Sequence, residues 1–253
     1  MAACLASARV ETRRLTRSGL LIGLLATFAF FGLSGPALAL SMPEILGSAA
    51  NTDQLTIHAA PATPDDGITL FNQSAMQLGL ILAVAVAVTS MAWDARTGSS
   101  IYYRTRVAHL STVTIPRLAV TWIAAIVAYA LGLLLAVVMT NLTIGRISSD
   151  MVVGVWAGST IYLVMTMAIG FLVMSLARRT APAIAVATIL ALVLPLLSQF
   201  PALSAWTPTM LLTGSTDGVQ HLGLPILSAL IVTALCVVGA TLITANHSLR
   251  RDA

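Results

Sequence analysis

Six long apolar runs, each free of Asp, Glu, Arg and His, alternate with short polar segments: Gly19–Leu40, Ala75–Trp93, Leu118–Thr140, Met151–Leu176, Pro182–Phe200 and Gly223–Ala245. At a rise of about 1.5 Å per residue, each can cross a hydrocarbon core about 30 Å thick. Backbone amides facing lipid can be satisfied only internally, so these runs are predicted to be helices. The apolar–polar alternation of a barrel strand is missing. The pattern predicts an all-α integral membrane protein, a six-transmembrane-helix bundle forming one domain over residues 1–253.

Composition sharpens this reading. The 253 residues are 58% hydrophobic and only 9% charged, with a mean hydropathy of +0.93. A soluble domain carries roughly 25% charged residues, so this chain lacks the polar surface that water requires. All thirteen basic residues are arginine, a bias associated with GC-rich coding and hence with a bacterial source. The net charge of +4 does not indicate nucleic-acid binding, because the arginines sit in short segments beside the spans. Cys4 and Cys236 lie far apart on this map and match no metal spacing, so two unpaired thiols are expected.

The arginines also orient the bundle. Arg9, Arg13, Arg14 and Arg17 precede the first span; Arg96, Arg104, Arg106 and Arg117 lie between the second and third. Arg178 and Arg179 follow the fourth, and Arg250 and Arg251 end the chain. Alternating crossings put all of these on one face, assigned as cytoplasm, with both termini inside a bacterial plasma membrane. Glu44, Asp53, Asp65, Asp66, Asp150 and Asp217 fall on the other face, where Arg146 is the one basic exception.

The first run carries an ambiguity. A basic tail, an apolar stretch and Ala37-Leu38-Ala39 resemble a cleavable secretory signal. Against this, the run is longer than a usual signal core, and it is read here as a retained span. Pro36 is expected to kink or end it near the outer face. Cleavage would leave five spans. Outside, 41–74 is expected to be an acidic loop capping the outer face, with a turn at Pro61–Gly67. Inside, 94–117 is the long cytoplasmic connection, and Ala177–Ala181 is a tight turn closed by Pro182.

Several chemistries are excluded. Without a lysine, no phosphate-binding Gly-rich loop ending in Lys-Ser/Thr exists, so any ATP hydrolysis belongs to another chain. No span holds a histidine, which removes the general base that an intramembrane serine protease would need. Gly158-Ser159 is read instead as small residues for close helix packing. Lacking ionisable groups in its spans, the bundle suits an amphipathic cargo better than a small ion. Tyr129, Ser159, Tyr162 and Thr166 are the candidate pathway lining, although interhelical hydrogen bonding would equally explain them.

The most specific pattern follows the second span: Asp94-Ala95-Arg96-Thr97-Gly98-Ser99, then Ile101-Tyr102-Tyr103-Arg104-Thr105-Arg106, with Pro116-Arg117 opening the third. Thr97–Ser99 offers a turn and capping oxygens for a helix, on which Tyr103, Val107 and Leu110 share a face. An interfacial helix at headgroup level would fit the same residues. Phe200–Leu212, containing Pro201, Trp206 and Pro208, is too apolar for a solvated loop and too broken for a span.

These features resemble the permease subunits of type-2 ABC transporters. The resemblance implies that Asp94, Arg96, Thr97, Gly98, Ser99, Tyr103, Arg104 and Arg106 form a coupling segment docking on a separate ATP-binding subunit. It implies that the segment around Pro201, Trp206 and Pro208 is a re-entrant element closing the outer mouth. No cofactor is expected on this chain; ATP and Mg would sit on the partner. A second permease subunit, identical or related, would complete the pathway. The alternative from another class is a non-transporting membrane module with an assembly, sensory or immunity role, binding a partner through its outer loop.

Overall fold

The structure is a computed structural model describing residues 2–50, 61–95, 97–107, 109–197, 206–213 and 223–246. Among the described residues there is no strand. The helices are α1 (Ala2–Arg17), α2 (Leu20–Ala50), α3 (Pro64–Ser90), α4 (Ala92–Ala95) and α5 (Thr97–Arg106). They continue with α6 (Ser111–Thr143), α7 (Ser149–Ala177), α8 (Thr180–Leu197), α9 (Met210–Thr213) and α10 (Gly223–Asn246).

Five of them, α2, α3, α6, α7 and α10, are long and apolar enough to cross a membrane. This is the architecture of an α-helical multi-pass membrane protein. The run expected over Pro182–Phe200 begins as α8, which has 18 residues and spans about 27 Å at about 1.5 Å per residue. Residues 198–200 of that run lie outside the described residues.

Three expectations need correction. First, Pro36 does not end the first span: α2 continues through Pro36 and Pro43 to Ala50. A proline costs one backbone bond, and in apolar helices neighbouring groups absorb that loss. Second, the segment 41–74 is not simply an outer loop, because its first part continues α2 and its last part begins α3. The supposed turn at Pro61–Gly67 contains a helix start. Pro64 occupies the first turn, and the Asp66 carboxylate accepts hydrogen bonds from the Thr63 amide at 2.8 Å and the Thr63 hydroxyl at 2.6 Å. Asp65 and Asp66 also place negative charge at the positive end of the helix dipole. Third, α6 starts at Ser111 instead of near Leu118, so Pro116 and Arg117 lie within it.

α1 and α2 are separated by a break at Gly19, whose φ of 72° is the left-handed conformation that glycine adopts without strain. α2 then runs along α6. A β-carbon on Gly132 would sit 2.5 Å from the Phe28 carbonyl oxygen, and one on Gly32 would strike the Gly132 carbonyl. The two backbones therefore touch directly. Lipid tails are as apolar as leucine, so close packing and not water exclusion holds such a pair together. Phe28 also makes a T-shaped contact with Tyr129 at 5.8 Å, and Phe71 of α3 stacks on Tyr129 at 5.6 Å. α10 lies mainly along α7 and buries the small residues Ala229, Cys236 and Ala240.

The turn between α7 and α8 is as short as expected: Arg178, at φ 54°, caps α7 and returns its amide to the Met174 carbonyl at 3.0 Å. Of the segment Phe200–Leu212, residues 200–205, with Pro201, lie outside the described residues. Trp206 is 57% exposed, Pro208 is buried, and α9 seats Leu211 against α7. A β-carbon on Gly158 would collide with the Leu211 carbonyl, so the small residue is what admits α9.

Candidate functional site

Two features stand out: a polar cluster at the end of the bundle where α1 lies, and a cavity beside α3.

α1 turns one face inward. Ser7, Glu11 and Leu15 follow each other at four-residue spacing and are buried, while Leu5, Arg9, Arg13 and Arg17 point away. The Ser7 hydroxyl donates to the Val113 carbonyl at 2.9 Å, which pins α1 to the start of α6. Arg14 donates to the Thr89 carbonyl at 2.8 Å and to its hydroxyl at 2.9 Å, pinning α1 to the end of α3. Glu11 is 0% exposed. An Arg14 nitrogen approaches its carboxylate at 2.9 Å, yet neither Glu11 oxygen receives an aligned hydrogen bond from the described residues. Burial pushes the Glu11 carboxyl above its ordinary 4.5, while Arg14 and then Arg117 pull it back.

The docked carboxyl thus holds its proton more tightly than a free one. The folded state gains stability as pH falls toward 4.5 and loses it as pH rises through the docked value. Glu11→Gln is expected to flatten that dependence without lowering the melting temperature at pH 7.5, because desolvation outweighs the attraction of the arginines. A melting temperature several degrees lower would mean that the ionised carboxylate is a net stabiliser.

Arg117 sits at the centre of the cluster, 5% exposed. Its guanidinium donates to the Tyr103 hydroxyl at 2.8 Å and lies 5.0 Å from the Tyr103 ring centroid and 5.6 Å from that of Trp93. Such cation–aromatic contacts are worth roughly 0.5–2 kcal/mol. Tyr103 comes from α5, so this one side chain ties α5 to α6. Tyr103, Val107 and Leu110 pack together against the apolar cluster of Met91, Trp93, Val113 and Leu118.

The other coupling candidates are less defined. Asp94 lies on α4, and Thr97, Ser99, Arg104 and Arg106 lie on α5, with side chains outside the described part. Arg96 falls outside the described residues. Gly98 is within the first turn of α5, exposed, and a β-carbon there would meet nothing within 4 Å. The fold itself does not require glycine at this position.

The cavity has a volume of about 540 Å³, within the roughly 300–1,000 Å³ range of small-molecule sites. α3 supplies its polar wall: Thr69, Asn72, Gln73 and Gln77 at spacings of three and four, one face of a helix. Opposite stand Val155 and Tyr162 of α7, Ala191 and Pro195 of α8, and Leu212 of α9. A π-helical turn at Ala75–Gly79 interrupts α3 beside the cavity, with the Leu80 amide bonded to the Ala75 carbonyl. Turns of this type add a residue to a helix and often mark functional sites.

No protein-family model matches this chain, and no curated protein matches it.

Of the four pathway candidates, only Tyr162 lines the cavity, with its hydroxyl donating to the Ala191 carbonyl at 3.1 Å. Tyr129 and Ser159 are buried behind it and both donate to the amide oxygen of Asn72, at 2.9 and 2.8 Å. Thr166 is spent on carbonyls of its own helix, Tyr162 and Leu163. Asn72, Gln73 and Gln77 carry no charge, so neither charge nor hydropathy marks them. A search for uncharged amides at helical spacing would have found them. Among the described residues, no three of His, Cys, Asp and Glu cluster to hold a metal.

Proposed function

We propose that this chain is the membrane-spanning subunit of an ATP-driven transporter of the type-2 ABC kind. In this reading it exports an amphipathic, lipid-like or drug-like molecule from a bacterial cell, and ATP with Mg is bound and hydrolysed on a separate subunit. The observation that carries the reading is the mounting of α5. This short, polar helix projects between two spans, and its inner face is fastened through Tyr103 to buried Arg117. A push on α5 therefore reaches α6 directly, and reaches α1 through the contacts that α1 makes with Thr89 and Val113. That is the mechanical requirement for a coupling helix. α8 would supply the sixth crossing, both termini would be cytoplasmic, and α9 with its preceding turn would be the re-entrant outer element. A second permease subunit would complete the pathway.

Gly98 provides a clean test. Gly98→Leu should leave the chain's own yield and melting temperature unchanged, since the added side chain enters open space. It should reduce co-purification with a candidate ATP-binding subunit, and the ATPase activity of the complex in nanodiscs, by about tenfold, equivalent to about 1.4 kcal/mol. Arg104→Glu should act in the same direction. Full association and coupling in both variants would remove α5 as the docking element.

A further inference from the structure

We infer that the cavity beside α3 binds an uncharged amphipath whose polar end carries ester, ether or hydroxyl oxygens, held by the amides of Asn72, Gln73 and Gln77. This deepens the permease reading and rests on it for the consequence in transport, but binding itself is a property of this chain alone.

Asn72 is held by two neighbouring helices. Its amide oxygen accepts two hydrogen bonds, from Tyr129 and Ser159, hydroxyls on two other helices. A carbonyl oxygen has two lone pairs, so both are occupied. The amide plane is thereby fixed with the oxygen turned into the protein. The NH₂ group is left on the cavity side, where Asn72, only 6% exposed, forms part of the wall. It is a donor without an acceptor among the described residues, and it selects for an acceptor oxygen on whatever enters.

Gln73 and Gln77 extend this wall toward the middle of α3. Both are exposed, and neither makes a side-chain hydrogen bond with the described residues. Both lie within a helix long and apolar enough to cross a membrane, and amides without partners are costly against hydrocarbon. Two of them on one helical face, continuous with Asn72, point to a polar occupant.

The charge of that occupant follows from the walls. Among the described residues no lining side chain is charged, and an ion moved among them would find no counter-charge. The apolar wall of Val155, Pro195 and Leu212 accommodates a hydrocarbon or ring portion. A neutral polar end facing α3 and an apolar part facing α7 and α8 satisfy both halves at once.

The test uses the full chain alone in phosphatidylcholine nanodiscs with a diazirine-bearing monoacylglycerol. Cross-links mapped by mass spectrometry should concentrate on residues 69–81 and 191–195. Excess monoacylglycerol should compete them away, whereas an alkylamine or fatty acid of the same chain length should compete at least tenfold less well. Gln77→Leu and Gln73→Leu alter exposed side chains that hold nothing in the fold, and each should lower cross-linking about fivefold at unchanged melting temperature. Cross-links spread over the outward face of α6, equal competition by the amine or the acid, or full cross-linking in both variants would each overturn the proposal. Its failure would leave the association with an ATP-binding subunit untouched, because that is read in a separate assay.

Discussion

Gly132→Ala is expected to loosen the seam between α2 and α6, lowering stability by about 1–3 kcal/mol. The added methyl would lie 2.5 Å from the Phe28 carbonyl oxygen, a backbone atom that cannot rotate away, so one helix must shift. Gly32→Ala meets the Gly132 carbonyl and should act alike. The matched control is Gly23→Ala on the same helix, where a β-carbon meets nothing within 4 Å. There, replacing glycine is expected to be neutral or slightly stabilising. Thermal unfolding followed by size-exclusion chromatography distinguishes the two. If Gly132→Ala melts with Gly23→Ala, the close contact between backbones is not what joins α2 to α6. The same seam bears on the signal-peptide ambiguity, since cleavage after Ala39 would remove both Phe28 and Gly32 from their places against α6.

Arg117→Met should have the other large effect, a loss of about 3–5 kcal/mol. Methionine fills much of the same space but leaves Glu11 buried with Arg14 as its remaining counter-charge, and it abandons the Tyr103 hydroxyl and two aromatic faces. Two readouts follow: a lower melting temperature, and faster proteolytic nicking over 97–106 as α5 comes loose. Adding Glu11→Gln should restore part of the melting temperature, because the buried carboxylate that has lost one of its two counter-charges is then gone, but should not restore protection of α5. That split separates the electrostatic contribution of Arg117 from its role as the anchor of α5. Full recovery of both readouts would mean that Tyr103 gains nothing from Arg117.

The apolar runs over Met151–Leu176 and Gly223–Ala245 lie within α7 and α10, because a continuous apolar run must satisfy its own backbone in lipid. α2, α3 and α6 each extend beyond their apolar runs. Their polar or proline-containing extensions are stabilised by contacts with other helices: Arg117 by aromatic rings and Tyr103, Asp66 by Thr63, and Pro36 and Pro43 within a helix whose neighbours hold its course. The pathway residues fared differently. As sequence, Tyr129 and Ser159 fit either a pathway lining or interhelical hydrogen bonds, and in the structure their bonds run to Asn72, 57 and 87 positions away. No local pattern could have shown that they hold an amide in place and do not line a cavity.

Helix content and membrane character are properties of the sequence by itself. A run of about twenty apolar residues must bury its own backbone bonds, and that demand is local. The polar stripe Thr69, Asn72, Gln73, Gln77 and the apolar stripe Tyr103, Val107, Leu110 were equally written in the spacing. The partners of those stripes were decided only by the tertiary structure. The rotation of each helix depends on where glycines let backbones touch and where a hydroxyl or guanidinium finds its bond on another helix. Hydropathy is blind to rotation because every side of such a helix is apolar enough for lipid. Packing chose which side faces Tyr129, which faces the cavity, and which charged residues, Glu11 and Arg117, could be taken inside.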